Sequence, residues 1–186
     1  AQMQTKLFPH DMMAYNILAS LYSMRSEYEK VIEQYKKILE LYQNQYGSDA
    51  VSTTIWRIGN IYFYDLGDYE NALKYYLIHL KEYPDDYSIY NTLGTLYETM
   101  SNYEKATEMY EMALLFDTED INSMIDLAYI KKELGVDRIE EYKQILSKCR
   151  DYRDTLNVYH QTYRLNREYG RIDEALKYMN LYITRA

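Results

Sequence analysis

One self-similarity constrains this chain more than any other feature. Ala72 and Ala106 stand 34 residues apart, and the residues around them recur with them. Residues 87–120 carry Tyr90, Leu93, Gly94 and Tyr97, then Tyr103, Ala106, Tyr110 and Ala113. Residues 52–86 carry Ile55, Ile58, Gly59 and Tyr62, then Gly67, Tyr69, Ala72, Tyr76 and Pro84. Residues 12–45 carry Tyr15, Leu18, Ala19 and Tyr22, then Tyr28, Val31, Tyr35 and Ile38. Within each block the apolar spacings of three and four are helical. A unit recurring at this period cannot bury its apolar face alone, so neighbouring units must stack. Only 6 Gly and 2 Pro leave too little turn chemistry for an all-β chain. The expected class is all-α.

Two further units are looser. Residues 121–150 offer Met124, Leu127 and Ala128, but Ile139 or Glu140 stands where a small residue is expected. Residues 156–186 recover Tyr169-Gly170, Ala175 and Met179, with bulky Tyr163 at a small-residue position. Ala19, Gly59, Gly94, Ala128, Ala72, Ala106 and Ala175 are expected where helix backbones approach closely. Tyr22, Tyr62, Tyr97, Tyr35, Tyr76 and Tyr110 are expected to fill the space between neighbouring units. Ser26-x-x-Glu29, Ser101-x-x-Glu104 and Asp137-x-x-Glu140 read as capping boxes opening second helices. Gly59 to Tyr69 is ten residues where Gly94 to Tyr103 is nine, which places one extra residue in the Phe63–Leu66 turn.

The three strong blocks resemble the tetratricopeptide repeat, whose signature is W-x2-L-G-x2-Y followed by A-x3-F and P at this period. The resemblance covers residues 12–186, in blocks 12–45, 52–86, 87–120, 121–150 and 156–186, with residues 1–11 as an N-terminal tail. It implies a right-handed α-solenoid of about five helix-turn-helix repeats, hence about ten antiparallel helices. Pentatricopeptide repeats run one residue longer and bind RNA through a basic groove; the acidity of this chain and its Gly94/Ala106 pattern argue against them.

The formal net charge is −8, which argues against a nucleic-acid partner. The charge is uneven: residues 82–120 hold ten acids and one base, whereas 121–186 hold twelve bases and ten acids. No apolar run reaches the roughly 18 residues of a membrane span. The Ala-Gln start fits a mature exported protein after signal cleavage, periplasmic or of the cell envelope. It fits an expression-tag remnant about as well, so the compartment, cytoplasm included, stays open.

No residues here suggest an enzyme, a cofactor or a metal site. His10, His79 and His160 lie far apart, and His79 reads as a packed histidine. Cys149 sits beside Lys148 and Arg150, which could lower its pKa. The acidic segments Asp85-Asp86 and Asp117–Asp120 lack the ligand spacing of a calcium loop, so helix capping is their expected role.

A binding face remains. The resemblance implies that the fifth and ninth positions of each repeat line the concave side: Asn16 and Ser20, Trp56 and Asn60, Asn91 and Thr95, Ile125 and Tyr129, His160 and Arg164. Arg167 follows at a twelfth position, and Phe63 and Tyr64 at the twelfth and thirteenth of the second repeat. Amides can bond an extended peptide backbone, and aromatics can take its apolar side chains. The expected function is a non-catalytic scaffold binding a peptide or partner protein. The alternative is a structural or regulatory segment of a longer exported sensor or enzyme, packed on its own neighbouring domain. The carboxylate clamp of chaperone-binding repeats would need Lys, Asn, Asn, Lys and Arg where this chain has Trp56, Asn60, Thr92, Asn122 and Asp126. Binding to the acidic C-termini of heat-shock chaperones is therefore not expected.

Two expectations follow from charge and pattern. The acidic stretch 82–120 should favour basic groups, and His160, Arg164 and Arg167 an acidic one, so a polar ligand would bind in one direction. The last helix carries Leu176, Met179, Tyr182 and Ile183 as one apolar stripe. Part of that stripe would normally cover a following repeat. Hence either the native chain continues beyond Ala186 or this end pairs with another chain, an end-to-end self-association.

Overall fold

A computed structural model describes residues 11–42, 49–84, 86–133 and 138–185. Most of the tail 1–11, with His10, lies outside the described residues. So do the extension after Asn44, Asp85, the Asp137 capping position and the last residue. The described helices are α1 (Met12–Ser23), α2 (Tyr28–Tyr42), α3 (Asp49–Asn60), α4 (Tyr69–Glu82), α5 (Ser88–Thr99), α6 (Tyr103–Phe116), α7 (Ile121–Glu133), α8 (Ile139–Lys148), α9 (Tyr152–Glu168) and α10 (Ile172–Arg185). A π-helical segment, Ile61–Asp65, extends α3. The all-α expectation holds, with two helices in each of the five blocks. The fifth block opens earlier than its sequence signature, because Asp151 caps α9 by accepting from Asp154 N at 2.9 Å. The chain divides into two compact units, Ala1–Ile89 and Tyr90–Ala186.

Turn chemistry explains the pairing. Ser26, Gly67, Ser101 and Gly170 all have φ between 55° and 68°, the left-handed region. Each sits at the same place after a first helix. In three of these turns the next amide reaches back five residues: Glu27 N to Tyr22 O at 3.0 Å, Asn102 N to Tyr97 O at 2.8 Å, and Arg171 N to Asn166 O at 2.9 Å. Ser26, Ser101 and Gly170 N also bond Ser23, Glu98 and Arg167 O, which completes the two-bond left-handed helix ending. The sequence reading of Ser26 and Ser101 as N-caps is therefore corrected. They end the first helix, and capping of α6 falls to Asn102, which accepts from Lys105 N at 3.2 Å. Asp68 does the same for α4, accepting from Asn71 N at 3.1 Å.

The extra residue of the second repeat takes a definite form. Asp68 N bonds Tyr62 O, six residues back rather than five, and Leu66 N bonds Ile61 O. The insertion is thus absorbed as one π turn at the end of α3, starting two residues before the expected Phe63–Leu66 segment.

The small and large residues meet within repeats more than between them. A Cβ placed on Gly59 would lie 2.5 Å from Tyr76 Cε1, and one on Gly94 would lie 2.6 Å from Tyr110 Cε1. Both rings are wholly buried. Tyr76 and Tyr110 therefore occupy notches in the first helix of their own repeat, which corrects their expected place between repeats. Repeat junctions have aliphatic centres flanked by tyrosines; Tyr22, Tyr35 and Tyr62 pack on the first of them, as expected. In the first unit Val31 and Ile32 of α2 cluster with Ile58 and Ile61 of the next repeat. In the second unit Tyr142 and Ile145 of α8 cluster with Val158 and Leu165 of α9.

Candidate functional site

In the first unit the expected groove residues sit on the first helices. Asn16 is half-buried and Ser20 exposed on α1, at the register of Trp56 and Asn60 on α3. Trp56 is 38% and Tyr64 66% exposed, high for aromatic rings. Asn60 is fixed from beneath: the buried Tyr76 hydroxyl donates to its Oδ1 at 2.6 Å. Eight residues of ideal α-helix would carry Tyr64 roughly 80° away from the line of Trp56. The wider π winding takes back much of that angle, so Trp56, Asn60 and Tyr64 run along one side. Phe63, also expected on this face, is instead buried, with its ring centroid 4.4 Å from Tyr64 and 5.9 Å from Tyr69.

In the second unit the same device recurs one repeat later. The hydroxyl of buried Tyr110 lies 3.2 Å from Thr95 Oγ1 and 3.0 Å from Glu98 Oε2, and its one proton serves one or the other. Thr95 donates to Asn91 O at 3.1 Å. Asn91 Nδ2 donates to Ser123 Oγ at 3.0 Å, and Ser123 donates to Asp120 Oδ2 at 2.6 Å. Asn91 and Thr95 thus belong to one network between α5 and α7.

Ile125 does not join it. It is 3% exposed and packs with Ile121, Ala128 and Tyr142. The expectation that it lines the groove is corrected: an aliphatic side chain gains by turning inward. Its neighbour Asp126 reaches the network instead. Burial pushes the Asp126 carboxyl up to about 7; the charges of Glu98 and Asp120 add to the rise, and the Asn91 amide opposes it. The sequence missed Glu98 and Asp126 as site residues. The available signal was position: Asp126 stands one turn from Tyr129 and one residue from the misassigned Ile125.

Tyr129 and Arg164 are brought together, lining one small recess with Tyr142 and Gln161. His160 faces other rings, 6.4 Å from Tyr163 and 5.8 Å from Tyr182. Arg167 is exposed and donates to the Tyr163 hydroxyl at 3.3 Å. The three expected basic residues therefore split, with Arg164 toward Tyr142 and with His160 and Arg167 around Tyr163.

The remaining polar groups play local roles. His79 is 1% exposed and its Nε2 lies 2.8 Å from Asp86 Oδ2, in keeping with a packed histidine. Its Nδ1 finds no partner among the described residues. Asp86 also accepts from Ser88 Oγ, and Asp117 and Asp120 accept from backbone amides two residues on. Asp120 thereby caps α7, whereas Asp117 closes the turn after α6. Burial, with Asp154 and Asp151 nearby, pushes the Cys149 thiol up. That reverses the expectation drawn from its basic sequence neighbours. Among the described residues no helix is long and apolar enough to cross a membrane.

Comparison with known proteins agrees with the fold. Residues 11–81 and 87–120 match family descriptions of the tetratricopeptide repeat. MamA from Desulfovibrio magneticus is similar in structure, at 15% identity over 94% of each chain and a TM-score of 0.72. A putative kinesin light chain from Podosopora anserina is similar at 13% identity over 95% of each chain, with a TM-score of 0.75. YrrB, described as a TPR protein with an unusual peptide-binding site, is similar at 16% identity over 99% of this chain and 91% of that one, with a TM-score of 0.66. At these identities the likeness shows the fold, a tetratricopeptide-repeat solenoid.

Proposed function

The chain belongs to the tetratricopeptide-repeat family, and on that premise we propose that it is a non-catalytic scaffold binding a peptide or partner protein along its first helices. One observation carries this reading. In each unit a buried tyrosine hydroxyl reaches a polar side chain of the expected binding face, Asn60 in the first and Thr95 in the second. Groups held in place before a ligand arrives lose little freedom when they bind it. Asn60 can then pair with an extended backbone while Trp56 and Tyr64 receive apolar side chains. In the second unit Glu98 and Asp126 would meet a basic group, and Arg164 an acidic one. The peptide-binding site in YrrB's description belongs to that protein; it supports the class of ligand here and no residue of the site.

Trp56 is the single tryptophan of the chain and therefore its own reporter. Peptides selected by display against the folded chain should shift Trp56 emission on titration. Asn60→Ala should weaken them about tenfold, the worth of one hydrogen bond to a fixed partner. Arg164→Glu should weaken binding and flatten its salt dependence. Selected peptides that leave Trp56 emission unchanged and ignore both substitutions would refute the reading.

A further inference from the structure

Equivalent positions in the repeats reveal which side chains a helix pair buries against its neighbour. Counting two residues on from Ala19, Gly59, Gly94 and Ala128 gives Leu21, Ile61, Leu96 and Ile130; the turn at Gly170 adds Leu165. Ile61, Leu96, Ile130 and Leu165 are 9%, 0%, 0% and 3% exposed, but Leu21 is 48% exposed. What covers this position is visible at two junctions. Ile61 clusters with Val31 and Ile32 of the preceding helix pair, and Leu165 with Tyr142 and Ile145 of its own predecessor. Met13 is 67% and Ile17 39% exposed along the same helix, and Met24 82% at its C-terminal cap. No residue of α1 is charged.

The other end shows the complementary face. Ser26 and Gly170 occupy the same turn position, so Leu176 and Ile183 of α10 stand where Ile32 and Leu39 stand on α2. Ile32 is 4% exposed, and Leu39 packs on the same cluster as Ile61. Leu176 and Ile183 are 56% and 63% exposed. The charges beside them, Glu174 and Lys177, pair with each other at 3.5 Å. They add no net charge to the stripe.

We propose that α1 of one copy docks on α10 of a second copy, Leu21 meeting Leu176 and Ile183 as Ile61 meets Ile32 and Leu39. The fit comes from the repeat itself: α1 exposes the side that first helices elsewhere turn to the preceding second helix, and α10 the side that α2 turns to the following first helix. Such a contact joins two different faces, so it propagates head to tail.

Sedimentation velocity of the 186-residue chain tests this, from micromolar to near-millimolar concentration, on wild type, Leu21→Lys and Leu176→Lys. Both substituted residues are exposed, and circular dichroism checks that helicity is kept. The wild type should grow in mass with concentration. Each variant alone should be a monomer. Their equimolar mixture should form a dimer and nothing larger, because one retains an intact α10 face and the other an intact α1 face. Ile183→Lys replaces Leu176→Lys should the latter lose helicity. A wild type monomeric throughout would overturn the proposal. So would a mixture that stays monomeric while the wild type associates, since that contact would be of another kind.

Discussion

Replacing Gly94 by alanine adds one methyl group in the most crowded notch of the second unit. The new Cβ would lie 2.6 Å from Tyr110 Cε1, 2.7 Å from Cδ1 and 2.9 Å from Cζ. All three fall short of ordinary contact, so the ring must retreat. It has nowhere to go: Tyr110 is 0% exposed, and its hydroxyl is engaged by Thr95 and Glu98. Overpacking of this kind costs about 1–3 kcal/mol. Losing the hydroxyl geometry adds about 1 kcal/mol, while alanine's better helix propensity returns about 1 kcal/mol. The expected net loss is about 1–3 kcal/mol, read as a lower urea midpoint. Tyr110→Leu supplies the second arm of a double-mutant cycle. In that background the methyl has room, and Gly94→Ala should be neutral or stabilising. The chain carries its own control in the first repeat, where Ala19 holds the equivalent position and Tyr35 is only half-buried. A wild-type background that gains stability from Gly94→Ala would show that the ring is not held, and the notch argument would fail.

Two further outcomes are expected. Burial pushes the Asp126 carboxyl up to about 7 in the folded chain from its ordinary 3.8, so the folded state holds that proton more tightly. This stabilisation is complete below pH 4 and is lost as pH rises through 7. The full shift corresponds to about 4 kcal/mol, and about half is expected because the residue keeps some solvent contact. Asp126→Asn should therefore raise the melting temperature at pH 8 far more than at pH 5; parallel wild-type and variant profiles would contradict it. Ser101→Gly should stabilise by about 0.5–1 kcal/mol, because relief of a left-handed Cβ outweighs the added freedom of the unfolded chain. Its φ is 57°, and an unchanged or lower denaturation midpoint would count against the turn assignment.

The repeat and its helix pairs were legible because small residues, tyrosines and turns recur at one period. Side-chain direction was less so. The pattern Ser-x-x-Glu fits a helix start, yet Ser26 and Ser101 close the preceding helix. The signal lay in the sister repeats, where the same position is Gly67 or Gly170, residues suited to a left-handed turn and not to capping. Ile125 keeps its register, 34 residues after Asn91, but an aliphatic side chain at that position packs with Ile121, Ala128 and Tyr142 instead of facing out. An isoleucine at an expected wet position already signalled trouble. The extra residue before Tyr69 was countable, but its form was not, since a loop and a π turn differ only in hydrogen bonding. Cys149 was misread for a related reason. Its neighbours along the chain are basic, while the charges that raise its pKa are Asp151 and Asp154 at the start of α9.

The tyrosine content, 25 of 186 residues, gains a physical account from the two notches. A phenylalanine could fill the space over Gly59 or Gly94 equally well. Only tyrosine carries a hydroxyl past the notch to the next residue of the first helix, Asn60 or Thr95. The ring belongs to the core and the oxygen to the proposed binding face, so one residue couples packing to polar geometry. That coupling explains why glycine, otherwise costly inside a helix, stands at both positions. A β-carbon there would push the ring away and withdraw its oxygen from the surface it organises. Where the tyrosine is half-buried, as at Tyr35, the constraint lapses, and alanine takes the glycine's place at Ala19. The choice between glycine and alanine in these first helices thus follows the depth to which the partner ring is buried.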